Sequence, residues 1–287
     1  MLQENEDVRW LKSWKVTSTG PTDPVFHVVV LPDVCCGASD QAEGFFGFCK
    51  STKTAGELEK ARIHFINPPG QSSDGQTLPD NYWPTYDECV QELSEIVSSE
   101  ASKPCLGIGT GMGADLLRRV SEVRPSLFRA FLFVAPAFSA PGVFGKAVST
   151  FAAYYVYYFG FNGHAIDLVL NRWFSSEIID RNLDLRERFV SYVEKLRPQD
   201  AARMIYAYGN RTELPSKKIS SQRIRGLVMC GRDSEFHGQA LDAYQVFQAG
   251  QASIMEPFTT GSLVLDEQPE EVIKSVELFV RSCFNFT

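Results

Sequence analysis

Long hydrophobic runs are missing from this chain. The longest apolar stretch, Ala147 to Phe161, is shorter than the roughly 20 residues a bilayer demands and is too rich in tyrosine to span one. Runs of lysine and arginine are missing as well. Acidic residues outnumber basic ones, 35 to 28, for a formal net charge of -7, which excludes nucleic acid or an anionic membrane surface as the main partner. Histidine is scarce, at four residues, and none stands at ligand spacing from another, so no metal site is expected. The seven cysteines are an odd set without CxxC spacing, and no charged-then-apolar leader opens the chain. Reduced thiols in a cytoplasmic protein are the simplest expectation, and the sequons at Asn210 and Asn285 then carry no sugar.

What is present is a chain of 287 residues with 44% hydrophobic and 22% charged content, enough for a sizeable buried core. Its organising stretch is KPCLGIGTGMGAD, Lys103 to Asp115. Apolar residues run into a glycine cluster, and Leu116, Leu117, Val120 and Val123 follow at helical spacing. The pattern predicts a strand, a very sharp turn and a helix. In the α/β-hydrolase scaffold that turn is written Gly-x-Ser-x-Gly and lifts a nucleophilic serine above the sheet. Here the five residues are Gly109, Thr110, Gly111, Met112 and Gly113, so Gly111 stands at the nucleophile position. Neither a G-x-G-x-x-G match nor a following Lys-Ser/Thr is present, which argues against a nucleotide loop and leaves no cofactor to expect.

The remaining elements follow in order. Trp10 to Ser18 alternates as an edge strand, FHVVVL (Phe26 to Leu31) reads as a buried parallel strand, and a helix is expected from Gln41 to Cys49. RIHFIN, Arg62 to Asn67, is the next strand; His27 and His64 alternate with apolar residues and read as structural. Thr85 with Glu88 makes a capping box for a helix burying Cys89, Leu93 and Ile96. After the strand at Phe128 to Pro136 the rhythm stops, and helical segments run from Lys146 to Tyr208. Arg223 to Cys230 and Gln251 to Glu256 resume the sheet, and a last helix opens near Pro269, with Val272, Ile273, Val276 and Phe279 toward the core. The expected architecture is α/β: a doubly wound, mostly parallel sheet of the α/β-hydrolase kind with a helical cap inserted after a core strand. The first part of the core is residues 1–138, the cap 139–220 and the second part of the core 221–287.

The other two members of a hydrolase triad have expected places. Asp233 follows the strand RGLVMC as the acid position. Ser262, in GSLVLDEQP, stands where a histidine is needed. Loss of serine or histidine costs on the order of 10⁶ in turnover, so the reading is a chain that does no acyl transfer. Two alternatives stay open: a small-molecule or lipid receptor using the relic pocket, and a rewired hydrolase that pairs His237 with Thr110, Cys35 or Cys36. Candidate binding residues are Asp33, Val34, Thr110 and Met112 near the turn, and Tyr154 and Tyr158 in the cap's aromatic stripe. Packing of that stripe on the core is the first expectation for it; a partner- or lipid-facing surface is the second.

Together these residues resemble the N-myc downstream-regulated (NDR) family, catalytically silent relatives of the α/β-hydrolases. The resemblance runs from about Phe26 to Phe279. It is carried by Asp33-Val34, IHFINPPGQ, LPDNYWPTYDE, GIGTGMGA, LNRWFSSE, YAYGNRTEL and GSLVLDEQP. Pro32 stands where the family usually has histidine, and Asn67-Pro68-Pro69-Gly70 where it has Asp-x-Pro-Gly. The long Ser/Arg-rich tail of some animal members is not expected. The resemblance implies a cytoplasmic, non-enzymatic protein in stress response, differentiation, signalling or trafficking. It would work through protein partners, with weak peripheral lipid contact as a further expectation.

Overall fold

The computed structural model describes residues 7–38, 45–47, 49, 52, 56–74, 77–214, 219 and 224–284. The segment predicted as one edge strand is a hairpin: β1 (Asp7–Leu11) and β2 (Trp14–Thr19) pair antiparallel, with Leu11 opposite Trp14. Its two-residue turn places Lys12 at φ 57, the positive φ that such tight hairpin loops require. Sequence periodicity runs straight through a turn this short, which is why one strand was expected. β2 buries Trp14, Val16 and Ser18 on one face, and the Trp14 indole N–H donates to Glu92 at 2.9 Å.

β2 pairs antiparallel with β4 (Ala61–Asn67), and from there every pairing is parallel. The strands β3 (Phe26–Leu31), β5 (Cys105–Thr110), β6 (Phe128–Val134), β7 (Arg225–Met229) and β8 (Ala252–Met255) complete an eight-stranded sheet in the order β1-β2-β4-β3-β5-β6-β7-β8. Strand side chains alternate between two cores. Val29, Leu31, Phe131 and Phe133 join one, while Val28, Val30, Leu132 and Val134 join the other. Because both faces are covered, β3 and β5 read as continuous apolar runs.

α1 (Tyr86–Glu100) carries the predicted capping box: the Glu88 N–H donates to the Thr85 hydroxyl, the Thr85 N–H donates to the Glu88 carboxylate, and Cys89, Leu93 and Ile96 are buried. α2 (Met112–Val123) follows β5. Of the helix predicted from Gln41 to Cys49, residues 45–47 and 49 are helical and the rest lie outside the described residues. Between β6 and β7 the described residues hold five helices and no strand: α3 (Val143–Phe159), α4 (Gly163–Trp173), α5 (Ser176–Arg181), α6 (Leu183–Lys195) and α7 (Pro198–Gly209). Asn162, Ser175 and Asn182 cap three of them, each side chain accepting from an N–H three residues on.

The aromatic stripe of α3 differs from expectation. Phe151, Tyr154, Tyr158 and Phe159 are exposed, and the helix buries only Ala153 and Val156. α3 approaches α7 so closely that a Cβ at Gly209 would lie 2.2 Å from Ser149 Cβ. Small residues make that contact; Tyr155 and Tyr157 are half-buried, Tyr154 and Tyr157 meet Trp83, and the other rings are turned outward.

After β7 comes α8 (His237–Tyr244), which periodicity did not announce; after β8 come the one-turn α9 (Val264–Glu267) and α10 (Pro269–Phe284). Val272, Ile273 and Val276 are buried and Phe279 packs against them. Among the described residues no helix is long and apolar enough to cross a membrane.

Candidate functional site

The carboxyl ends of β3, β5, β6 and β7 meet under α4, the edge where open α/β sheets place their ligands. β5 delivers the chain to Gly111 at φ 49 and ψ −110, and α2 begins one residue later. A side chain in that conformation is strained by about 1–3 kcal/mol. The turn also brings α2 against β3, since a Cβ at Gly113 would lie 2.4 Å from the Leu31 carbonyl oxygen. The local build is that of a nucleophile elbow, with glycine at its apex.

Asp33 fills the space above that apex. A Cβ at Gly111 would lie 2.2 Å from Asp33 Oδ1. The carboxylate, 2% exposed, accepts the Met112 N–H at 2.8 Å. Arg172 of α4 grips it with two donors, Nε to Oδ2 at 2.8 Å and Nη2 to Oδ1 at 3.2 Å. The Arg172 guanidinium lies 4.4 Å from the centre of the Phe236 ring and 5.8 Å from that of Tyr208, within cation–π range. Burial opposes its charge, but Asp33, Tyr208 and Glu235 together outweigh it and the net effect is to raise its pKa.

In an α/β-hydrolase the oxyanion is held by the N–H of the residue after the nucleophile and by an N–H in the loop after the third strand. Three amides at these places are committed to side chains. Met112 donates to Asp33; in the loop, Cys35 donates to the Gln71 side chain and Ala38 donates to Asn67 at 2.6 Å. Cys35 sits at φ 65, and burial, with the neighbouring Asp33, pushes its thiol up to about 12, so no appreciable thiolate exists at neutral pH.

Ser262 is joined to the cap. Its hydroxyl donates to the Arg172 carbonyl at 2.9 Å and pairs with the Ser234 hydroxyl at 2.8 Å, while the N–H groups of Ser262 and Leu263 both reach the Trp173 carbonyl. The last carbonyls of α4, which no helix satisfies internally, are thus taken up at the place where a triad histidine would stand. Asp233 is exposed, its N–H donating to the Thr260 carbonyl. His237 is hydrogen-bonded to Glu256. His27 and His64 are buried and bonded to each other at 2.9 Å. No cysteine forms a disulfide, and all seven are buried. Among the described residues no cluster of three or more His, Cys, Asp or Glu is arranged to hold a metal ion.

Beside this plugged elbow lies a cleft of about 660 Å³ between cap and core. Val34, Cys35 and Ala137 line it from the core; Phe151, Val156 and Leu168 line it from the cap; Arg172 and Arg211 also reach it. Gly111 and Asp33 are not among its lining residues. Of the candidates named from sequence, Asp33 and Met112 come together over Gly111, and Val34 lines the cleft. Thr110 is buried at the end of β5, and Tyr154 and Tyr158 stack on the outer face of α3, where they do not line the cleft. Sequence reasoning named neither Arg172 nor Gln71 as a site residue. An arginine inside the amphipathic stretch AIDLVLNRW was the available signal for the first.

The model of the Ndr family matches residues 15–286. The chain belongs to the Ndr family. This Ndr chain is 21% identical to Protein NDL1 of Arabidopsis thaliana over 263 residues, covering 88% of itself and 74% of that protein. It is 22% identical to Protein NDRG3 of Xenopus tropicalis over 270 residues, covering 89% of itself and 65% of the relative. Among solved structures it resembles a thermophilic esterase from Thermogutta terrifontis, with TM-score 0.78, 13% identity and 94% of each chain covered. It also resembles MenH from S. aureus, with TM-score 0.75, 12% identity and coverage of 95% and 99%. The Ndr chain therefore has the α/β-hydrolase fold.

Proposed function

We propose that this Ndr-family chain is non-enzymatic, a hydrolase-shaped protein that binds rather than turns over. One observation carries the reading: the Asp33 carboxylate occupies the volume of the absent nucleophile and takes up the Met112 amide. A substrate carbonyl finds neither an attacking oxygen nor an open oxyanion hole. The rewired alternative has little support, because the Cys35 thiol stays protonated and His237 is engaged with Glu256. Work through protein partners, in signalling, stress response, differentiation or trafficking in the cytoplasm, fits the exposed aromatic face of α3, which bears a single charge, Lys146. Tyrosine and phenylalanine are residues that interfaces favour. Weak peripheral lipid contact by the same face belongs to this reading. A panel of activated esters from acetate to octanoate should be hydrolysed at the buffer rate, and protein-dependent, saturable turnover would overturn the reading.

A second reading, that the chain is a small-molecule receptor, is favoured by the apolar cleft, whose volume lies within the roughly 300–1,000 Å³ of ligand pockets.

A further inference from the structure

We propose that the cleft between cap and core binds a single-chain anionic amphiphile, a carboxylate whose hydrocarbon tail lies against the cap while its head group meets Arg172 and Arg211. The proposal rests on the receptor reading and adds the chemistry of the ligand. The lining is mostly apolar, with Ser139, Ser149, Gln239, two tyrosines, two arginines and His164 as its polar members, and it contains no aspartate or glutamate. The nearby acids are turned to other tasks: Glu213 is exposed and accepts the Ala140 N–H, and Glu235 is exposed outside the cleft.

The arginines are unequally matched with carboxylates. Arg172 is paired with Asp33 by two bonds. Arg211 has only a share of Asp115, at 3.6 Å, because Asp115 is bonded to Arg119 at 2.7 Å. Arg211 spends its terminal nitrogens on the carbonyls of Tyr208, Ala137 and Ser139, and the Nε that faces Asp115 makes no hydrogen bond. Its guanidinium is buried, 4.0 Å from the centre of the Tyr208 ring. A buried cation with half a counter-ion at the edge of an apolar cleft favours an anion there. A neutral apolar ligand leaves that charge as it is, and an ammonium head is repelled.

The tail end is defined by Val156, Val169 and Ile205 within the cleft and by Phe151 and Leu168 at its mouth, where both are about 70% exposed. Burial of hydrocarbon stabilises by about 0.8 kcal/mol per methylene, so each added methylene should tighten binding about fourfold until the cleft is filled.

The test displaces a fluorescent polyene carboxylate from the full chain with saturated carboxylates of increasing length, and with the matching primary alcohols and amines. The proposal predicts saturable binding of one equivalent, rising affinity with chain length, and carboxylates at least tenfold tighter than alcohols, with amines weakest. Ala152→Trp, which places a ring in the cleft from α3, should weaken binding more than tenfold without shifting the thermal midpoint. Alcohols binding as tightly as carboxylates, with both lost in Ala152→Trp, would overturn the head-group assignment and leave the receptor reading standing. No saturable binding of any member, or binding untouched by Ala152→Trp, would overturn the proposal together with that receptor reading.

Discussion

At the scale of single residues, the site is decided by who occupies the volume above Gly111. Installing a serine there does not restore a hydrolase, because the new Cβ meets a carboxylate pinned by two Arg172 donors and one amide. Gly111→Ser should leave ester hydrolysis at background. It should also destabilise the chain by at least about 3 kcal/mol, from positive-φ strain plus displacement of Asp33, read as a lower urea midpoint. Glu267 gives a pH-dependent test. Burial raises its carboxyl from the ordinary 4.5 to about 7, against the lowering effect of the Gly261 and Leu263 N–H groups. The folded state therefore holds a proton that the unfolded state has lost between these values, so this contribution is complete below about pH 4.5 and fades as pH rises through 7. Relative to the parent chain, Glu267→Gln should gain on the order of 2 kcal/mol between pH 5 and pH 8, measured by denaturant unfolding at each pH. The glycine at the apex was legible because a turn motif names its own apex. The plug was not, because Asp33 and Arg172 are separated by 139 residues and only the closed fold pairs them.

At the scale of elements, strand register builds what no local pattern announces. Ser18 of β2 pairs across to His64 of β4, and the His64 ring in turn meets His27 of β3, so three strands are crossed by one buried polar row. Burial, followed by the neighbouring His27, lowers His64 from the ordinary 6.5 to about 3. This stability is present above pH 6.5 and is lost as pH falls toward 3, since the unfolded chain takes the proton first. His64→Gln should cost about 1 kcal/mol at pH 7 through its hydrogen bonds. It should then lose less than the parent on going to pH 5, by roughly 2 kcal/mol, as urea titrations at the two pH values would show. Alternation alone was enough to read both histidines as structural, and the capping box at Thr85 was equally legible. The hairpin turn at Lys12 and the helix α8 were not, the first because two residues interrupt no period, the second because its burial rests on Ala240 and Ala243 alone.

At the scale of the whole molecule, cap and core are held together through the residues around the glycine turn and Ser262. Asp33 and Ser262 of the core both bind Arg172 of the cap, one through its guanidinium and the other through its carbonyl, and Trp173 receives the adjoining backbone. Ser262, expected from sequence at a triad position, serves attachment here. The sheet, the inserted cap and the family were readable from the order of the strand, glycine and helix signals. The cleft was not, because its walls come from α3, α4, α7 and α8 and from core loops, and only their packing encloses a volume. The most direct test of the filled nucleophile seat is intact-mass spectrometry after incubation with excess fluorophosphonate. The account predicts an unchanged mass, and one equivalent of covalent adduct at a single residue would contradict it.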